Sequence, residues 1–196
     1  MEVVSSLAPD SMAPRFRGRF GHPYVYVHVC PSTQRLLGDE HSEGAVALTE
    51  EQTEGRGRLG RSWLSPRGVS LLFSVLLEPP VDSARLPELT VVAGQACAEA
   101  IVVVTGLAPE IKLPNDILIG GRKAAGILAE AREGRVVLGI GINVNVQPDD
   151  LPREIEPPAT SLLIETGAEV DRAALLVEIL DRLERDYDAW ARPTGA

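Results

Sequence analysis

Two glycine turns, Gly120-Gly121 and Glu133-Gly134, cut residues 109–145 into β-rich stretches that can join only as hairpins. The stretches are Pro109 to Lys112 with Asp116 to Ile119, then Lys123 to Arg132, then Arg135 to Asn145. Consecutive strands with tight turns pair antiparallel, so a sheet is the frame on which the rest must pack. Upstream, Tyr24 to Val29 (YVYVHV), Ala45 to Thr49 and Gly68 to Leu77 (GVSLLFSVLL) read as further strands, with a short polar helix expected over Thr33 to Gly38. Two longer helices are legible. Leu86 to Thr105 spaces Leu89, Val92, Ala93, Ala96, Ala100 and Val103 along one face, and Gly106 suits its C-terminal stop. Asp171 is a natural N-cap for a helix running to Ala191 that turns Leu175, Leu176, Ile179, Leu183 and Tyr187 inward. A proline-rich connector, Gln147 to Pro158, precedes it with a short helix near Ser161 to Glu165. Helices on a mostly antiparallel sheet place the chain in the α+β class.

At 196 residues, 44% apolar and 24% charged, one domain is expected. Residues 1–22 carry no sustained periodicity and read as a loosely ordered lead-in, leaving residues 23–196 as the folded unit. Pro9, Asp10, Pro14 and Arg15 interrupt the N-terminal apolar residues, so neither a signal core nor a spanning helix is expected there and the reading is cytoplasmic. Cys30 and Cys97 are isolated from His clusters and read as reduced thiols rather than metal ligands or a disulfide. A net charge of −9 argues against nucleic acid and anionic membranes as partners.

Against that acidic background one segment is locally basic. Glu54 to Pro66 (EGRGRLGRSWLSP) alternates Arg56, Arg58 and Arg61 with Gly55, Gly57 and Gly60. Glycine lets backbone close upon a ligand while guanidinium forks reach phosphate or carboxylate oxygens, so a small anion is expected beneath this loop. A second cluster follows in KLPND, where Lys112, Asn115 and Asp116 supply a cation, an amide and a carboxylate around Pro114. Lys123 lies across the Gly120-Gly121 turn, and the hairpin is expected to bring Lys112 and Lys123 to a common site.

Taken in order, Ser32 to Gln34, Gln52 to Arg61 (QTEGRGRLGR), the SWLSP run ending at Pro66, KLPND, Gly121 to Glu130 (GRKAAGILAE) and Gly139 to Asn145 (GIGINVN) resemble the catalytic domain of biotin protein ligases. The resemblance spans Ser32 to Asn145. It implies a mixed, largely antiparallel sheet, and a reaction in which biotin and ATP give biotinyl-5′-adenylate before the biotinyl group passes to a lysine of a biotin carboxyl carrier domain. By resemblance, Ser32, Thr33, Gln52, Gly55, Arg56, Lys123 and Gly126 bind biotin. Arg58, Arg61, Trp63, Asn115 and Asn143 surround the nucleotide, and Lys123, Arg56, Arg58, Lys112 and Asp116 carry the chemistry. Mg²⁺ would bridge the phosphates, without direct protein ligands assigned.

Each residue also has a plainer use. Ser32 and Thr33 suit a helix cap, Trp63 a core aromatic and Asn143 a strand-end turn. Leu113 stands where the family usually has tryptophan, and is expected to trade aromatic for aliphatic area in the biotin slot. Gln34 replaces an asparagine, a change expected to affect a helix start rather than a ligand contact. No helix-turn-helix motif precedes these segments and no β-barrel segment follows them in this sequence, so operator binding is not expected. The alternatives are a lipoate or octanoate ligase or transferase of the same fold, and a non-catalytic biotin or nucleotide sensor. A homodimer through edge strands is compatible with the pattern.

Overall fold

The computed structural model describes residues 5–81 and 83–192, and among them seven strands form one sheet in the order β1-β2-β3-β7-β6-β5-β4. They are β1 (Tyr24–Cys30), β2 (Val46–Gln52), β3 (Leu71–Leu77), β4 (Pro109–Lys112), β5 (Asp116–Ile119), β6 (Arg122–Arg132) and β7 (Arg135–Ile142). Every neighbouring pair is antiparallel except β1 with β2, which run parallel and make the sheet mixed. The glycine turns behave as the sequence requires: Gly120, Gly121 and Gly134 all take positive φ.

Helices cover one face. Helix α2 (Leu89–Thr105) and helix α4 (Arg172–Ala191) pack there beside the short α1 (Pro9–Met12) and α3 (Leu162–Thr166). Asp171 caps α4 by accepting from the backbone N–H of Ala173 at 2.8 Å and of Ala174 at 3.1 Å. Leu175, Leu176, Ile179, Leu183 and Tyr187 are all at most 2% exposed, each contributing roughly 1.5–3 kcal/mol by burial. Gly106 stops α2 in the left-handed conformation. α2 begins at Leu89 rather than Leu86, because Pro87 belongs to a preceding 3₁₀ segment, Ser83–Glu88. Val103 faces solvent at 60% exposure, and Cys97 and Ile101 complete the buried stripe in its place. Ser83–Thr105 is long and apolar enough to cross a membrane by length and composition, yet its buried face lies on the sheet and on α4.

Two expectations are corrected. The helix expected over Thr33 to Gly38 is one 3₁₀ turn, Thr33–Arg35. The lead-in, residues 1–22, is not loose over its described part: Leu7, Met12 and Phe20 are fully buried in the main core. Leu7 O accepts from Tyr24 at 2.8 Å and Phe20 N–H donates to Glu184 at 3.0 Å. These three apolar residues lie too irregularly in the sequence to show a period, yet their burial offsets the entropy of ordering the segment. Residues 1–4 lie outside the described residues.

A buried ion pair fastens α4 to the sheet. Arg172 lies 2.6 Å from Glu50 of β2 and also donates to the carbonyl of Ser70 at 3.0 Å. Tyr26 donates to Glu50 at 3.1 Å and Ser5 adds a short hydrogen bond. Burial alone would raise the Glu50 pKa, but the bonds from Arg172 and Ser5 outweigh it, so the pKa lies below the usual value. A depressed carboxyl pKa means that Glu50 stabilises the fold above the ordinary Glu range near ~4.3, and that this stability is lost as pH falls through the depressed value. Arg172→Met should therefore cost about 3–5 kcal/mol in urea unfolding at pH 7, by stranding a buried carboxylate. The penalty should shrink in acid, where protonation of Glu50 removes the stranded charge; an equal loss at both pH values contradicts this account.

Candidate active site

Pleating decides which side chains leave the helix-covered face. On β7, Val136, Leu138, Ile140 and Ile142 belong to the main core, so Gly139 and Gly141 point the other way. Their register partners on β6 are Leu128 and Gly126, and on β3 Ser74 and Leu72. Gly126, Gly139 and Gly141 thus form a strip of bare backbone on the open face. A Cβ on Gly126 or Gly141 would meet the Trp63 indole at 2.8 and 2.7 Å, and one on Gly139 would meet Gln34 Nε2 at 2.7 Å. Over this strip opens a cavity of about 350 Å³, large enough for a small organic ligand.

Lys123 reaches the cavity through a defect in the sheet. The register between β5 and β6 slips between Ile117 and Leu118: Ile117 pairs with Ala125, but Leu118 pairs with Lys123. Ala124 is therefore the extra residue of a β-bulge, and both Ala124 and Ala125 are buried in the core. Without the bulge, alternation from Gly126 would send Lys123 into the core. Instead its Nζ stands 2.7 Å from Asp116 Oδ1 and 5.7 Å from the centroid of the Trp63 ring. The Asp116 contact is a charge pair without hydrogen-bond alignment, which leaves ammonium donors for a ligand. The backbone of Lys123 is pinned too, donating to Pro158 O at 2.7 Å and accepting from Thr160 N–H at 2.9 Å.

At the buried end of the cavity lie Ser32, Thr33 and Gln34, each 3% exposed. Gln52 Oε1 accepts from Thr33 N–H at 2.9 Å and from its hydroxyl at 3.3 Å, and the Thr33 hydroxyl also meets Ser74 Oγ at 2.7 Å. With its oxygen doubly engaged, Gln52 keeps its amide N–H₂ for a ligand acceptor.

The glycine-arginine segment rims the cavity as a small hairpin. Arg56 bridges Ser62, Gly57 N–H donates to Arg61 O at 2.7 Å, and Trp63 N–H donates to Gly55 O at 2.8 Å. Arg56 pairs with Glu130 at 2.8 Å, and Arg58 donates to Asn115 Oδ1 at 3.2 Å while Asn115 donates to Ile127 O at 3.1 Å. Arg61 stands exposed at the mouth. Asn143, 6% exposed, lines the cavity and donates to Thr160 O at 3.0 Å.

The structure thus gathers Ser32, Thr33, Gln52, Arg56, Arg58, Arg61, Trp63, Asn115, Asp116, Lys123, Gly126 and Asn143 around one cavity. Two expected residues do not line it. Lys112 lies on the edge strand β4, two strand spacings of ~4.8 Å from β6, and is exposed to solvent outside the wall, so the expected convergence of two lysines fails. Gly55 is buried beneath the hairpin, where a Cβ would lie 2.2 Å from Trp63 O; its contribution is close backbone approach. Leu113 is 66% exposed and outside the lining, so the expected aliphatic-for-aromatic exchange in a slot does not occur. Sequence reading missed Gln34 as a lining residue, the glycines 139 and 141, and the segment containing Pro152, Ile155, Glu156 and Ala159. Only the glycines carried a signal, their alternation in Gly139-Ile140-Gly141.

Residues 26–147 match the Biotin/lipoate A/B protein ligase family. The Bifunctional ligase/repressor BirA of Bacillus spizizenii is 40% identical over 176 residues, which cover 85% of this chain and 54% of that protein. The biotin--[acetyl-CoA-carboxylase] ligase of Mycobacterium tuberculosis is 36% identical over 154 residues, covering 76% of this chain and 56% of its own length. This chain therefore spans about half the length of the curated relatives it matches. The structure of biotin protein ligase from Aquifex aeolicus in complex with biotin and ATP aligns with a TM-score of 0.78 at 36% identity, over 85% of this chain and 71% of that one.

The bare strip can be tested without any ligand. In a Trp190→Phe background, which leaves Trp63 the single tryptophan, Gly141→Ala should displace the indole from β7 and shift its emission to the red. An unchanged spectrum from a folded variant contradicts the packing of Trp63 on Gly141.

Proposed function

Because the chain belongs to the biotin/lipoate A/B protein ligase family, we propose that it activates biotin with ATP and transfers the biotinyl group to a lysine of a carrier domain. The observation that carries this reading is the polarity of the cavity: hydrogen-bonding side chains at its buried end, a bare strip in the middle, cations at its mouth. Biotin has the same order of parts, with a ureido head, a thin apolar body and a carboxylate. Ser32, Thr33 and Gln52 would hold the head, with the backbone about Gly55 and Arg56, and Gly126 would admit the body. A lipoyl or octanoyl group offers nothing for so many buried polar atoms to bond, which is why biotin is preferred over the other acyl substrates of this family.

In the first step a carboxylate oxygen attacks the α-phosphorus of ATP; the bond to the β-phosphate oxygen breaks, and pyrophosphate leaves. Both reactants are anions, so cations must offset their repulsion. Lys123, held by the bulge and by Asp116, would stand between the carboxylate and the phosphate; Arg56, Arg58 and Arg61 would close over the phosphates. Trp63 offers a flat face for adenine, with Asn115 and Asn143 as amide readers. Lys112, outside the wall, has no part in this scheme. Two carboxylates, Asp116 and Glu156, line the cavity, and among the described residues no group of three His, Cys, Asp or Glu could hold a metal ion. That donor set fits a Mg²⁺ carried by the phosphates themselves, with Asp116 and Glu156 as the available protein oxygens, and its chemistry would be to offset phosphate charge.

The mixed anhydride is then attacked at its acyl carbon by a neutral lysine amine of the acceptor, forming an amide and releasing AMP. Leu59 and Leu64, 88% and 70% exposed at the mouth, give the acceptor an apolar landing next to the arginines. The free thiols Cys30 and Cys97 are compatible with a reducing compartment such as the cytoplasm.

ATP–pyrophosphate exchange should be driven by biotin and not by lipoate, and a carrier domain should gain the mass of one biotinyl group. Exchange with lipoate alone would establish the acyl-ligase alternative; biotin binding without exchange would establish a sensor. Lys123→Gln should lower exchange by roughly 100- to 1,000-fold, while folding stability falls by no more than about 1–3 kcal/mol from the unpaired Asp116.

A further inference from the structure

The chain carries 19 lysines and arginines together, and only two of them, Lys112 and Lys123, are lysines. The difference matters beside an acyl adenylate, because a neutral amine attacks the acyl carbon whereas a guanidinium stays charged and offers no lone pair. Of the four cations that line the cavity, Arg56, Arg58 and Arg61 are inert in this sense, and Lys123 is the one amine. It is also the amine that stands beside the acyl carbon when the substrate carboxylate faces it. An enzyme built in this way must keep its own lysine from the attack that it reserves for the acceptor.

The side chain of Lys123 folds back along β6, its Cε and Nζ each 3.5 Å from where a Cβ on Gly126 would stand, and Gly126 is the register partner of Asp116. The glycine thus opens the path by which Nζ comes to 2.7 Å from Asp116 Oδ1. That oxygen is buried and accepts no hydrogen bond, and among the described residues Lys123 is the carboxylate's one ion partner. The Trp63 ring also flanks the amine, its centroid 5.7 Å from Nζ. A carboxylate and an aromatic face both favour the charged form of an amine, and an ammonium has no lone pair to attack with. We propose that Asp116 is a positioning residue that shields the enzyme from its own intermediate: it holds Lys123 as a tethered ammonium, so that the acceptor lysine is the amine that reacts. Without that partner, neutral Nζ would attack the acyl carbon and the bond from that carbon to the phosphate oxygen would break. AMP would leave, one proton of the amine would pass to water, and the enzyme would be left biotinylated at Lys123. This rests on the reading of the cavity as a site for biotinyl-5′-adenylate.

The test adds synthetic biotinyl-5′-adenylate to the full chain without a carrier domain and locates the biotinyl groups by peptide mass mapping. Lys112, exposed and outside the cavity wall, records ordinary labelling by free adenylate, so the ratio of Lys123 to Lys112 labelling is read within each molecule. At neutral pH the unaltered chain should be labelled at Lys112 and hardly at Lys123. Asp116→Asn, equal in size but uncharged, should raise the ratio roughly 10- to 100-fold, the range by which one opposite charge in contact favours the charged form. Adding Lys123→Arg to that variant should abolish the cavity label. Labelling of Lys123 in Asp116→Asn should also set in at lower pH than in the unaltered chain, a shift that a merely structural role would not produce. An unchanged ratio in folded Asp116→Asn, or Lys123 labelled as readily as Lys112 in the unaltered chain, overturns the inference. Should thermal melting show Asp116→Asn to be unfolded, Asp116→Ser takes its place under the same criteria. If the unaltered chain does not slow hydrolysis of the adenylate, the site reading itself fails, apart from any role of Asp116.

Discussion

Three missing side chains make the site. A sheet face normally presents a layer of Cβ atoms, and a ligand laid on it stays in solvent. Where Gly126, Gly139 and Gly141 meet across β6 and β7, that layer is absent, and the backbone itself becomes a floor into which Trp63 and Gln34 settle. The opposite face of the same residues' neighbours, Leu138, Ile140 and Ile142, is packed under helices α2 and α4. A rigid core on one side thus holds a groove in register on the other, which is how a site on strands gains the positional precision that loops lack.

Charge is then distributed by two devices of different kinds. The bulge at Ala124 is fixed geometry: it delivers Lys123 to the groove and pairs it with Asp116 on the neighbouring strand. The glycine-arginine hairpin is held at its base by Trp63 on the glycine strip, and at its exposed rim by polar contacts such as Arg56 with Glu130 and Arg58 with Asn115. Exposed pairs of this kind are worth little, so substrate phosphates can exchange for them at small cost. A chain of net charge −9 thereby keeps a cationic mouth without a basic surface.

Much of this was legible in the residues. Paired glycine turns gave the hairpins, the Asp171 cap and its apolar stripe gave α4, and the motif residues named from the sequence all converge on one cavity except Lys112, Gly55 beneath the hairpin, and the neighbouring Leu113. What escaped has physical causes. A bulge leaves no mark in composition, so the two lysines could not be assigned to different places from spacing alone. Leu7, Met12 and Phe20 bury themselves without a period, which hid the packing of the segment before β1. Gln34 looked like a turn residue because its partners, Leu128 O and Val137 O, lie some hundred positions away in the chain. The cavity wall from Pro152 to Ala159 carries no regular pattern, and the bridge of Ala159 to Lys123 that anchors its end is not visible in the sequence.

The central claim is one of orientation: polar head at the buried end, anion at the mouth. A crystal structure of the full chain with biotin bound decides it. The account predicts the ureido ring against Ser32, Thr33 and Gln52, the body over Gly126 and Gly141 with Trp63 displaced, and the carboxylate facing Lys123. Biotin bound in reverse, or with its carboxylate turned away from Lys123, would contradict it.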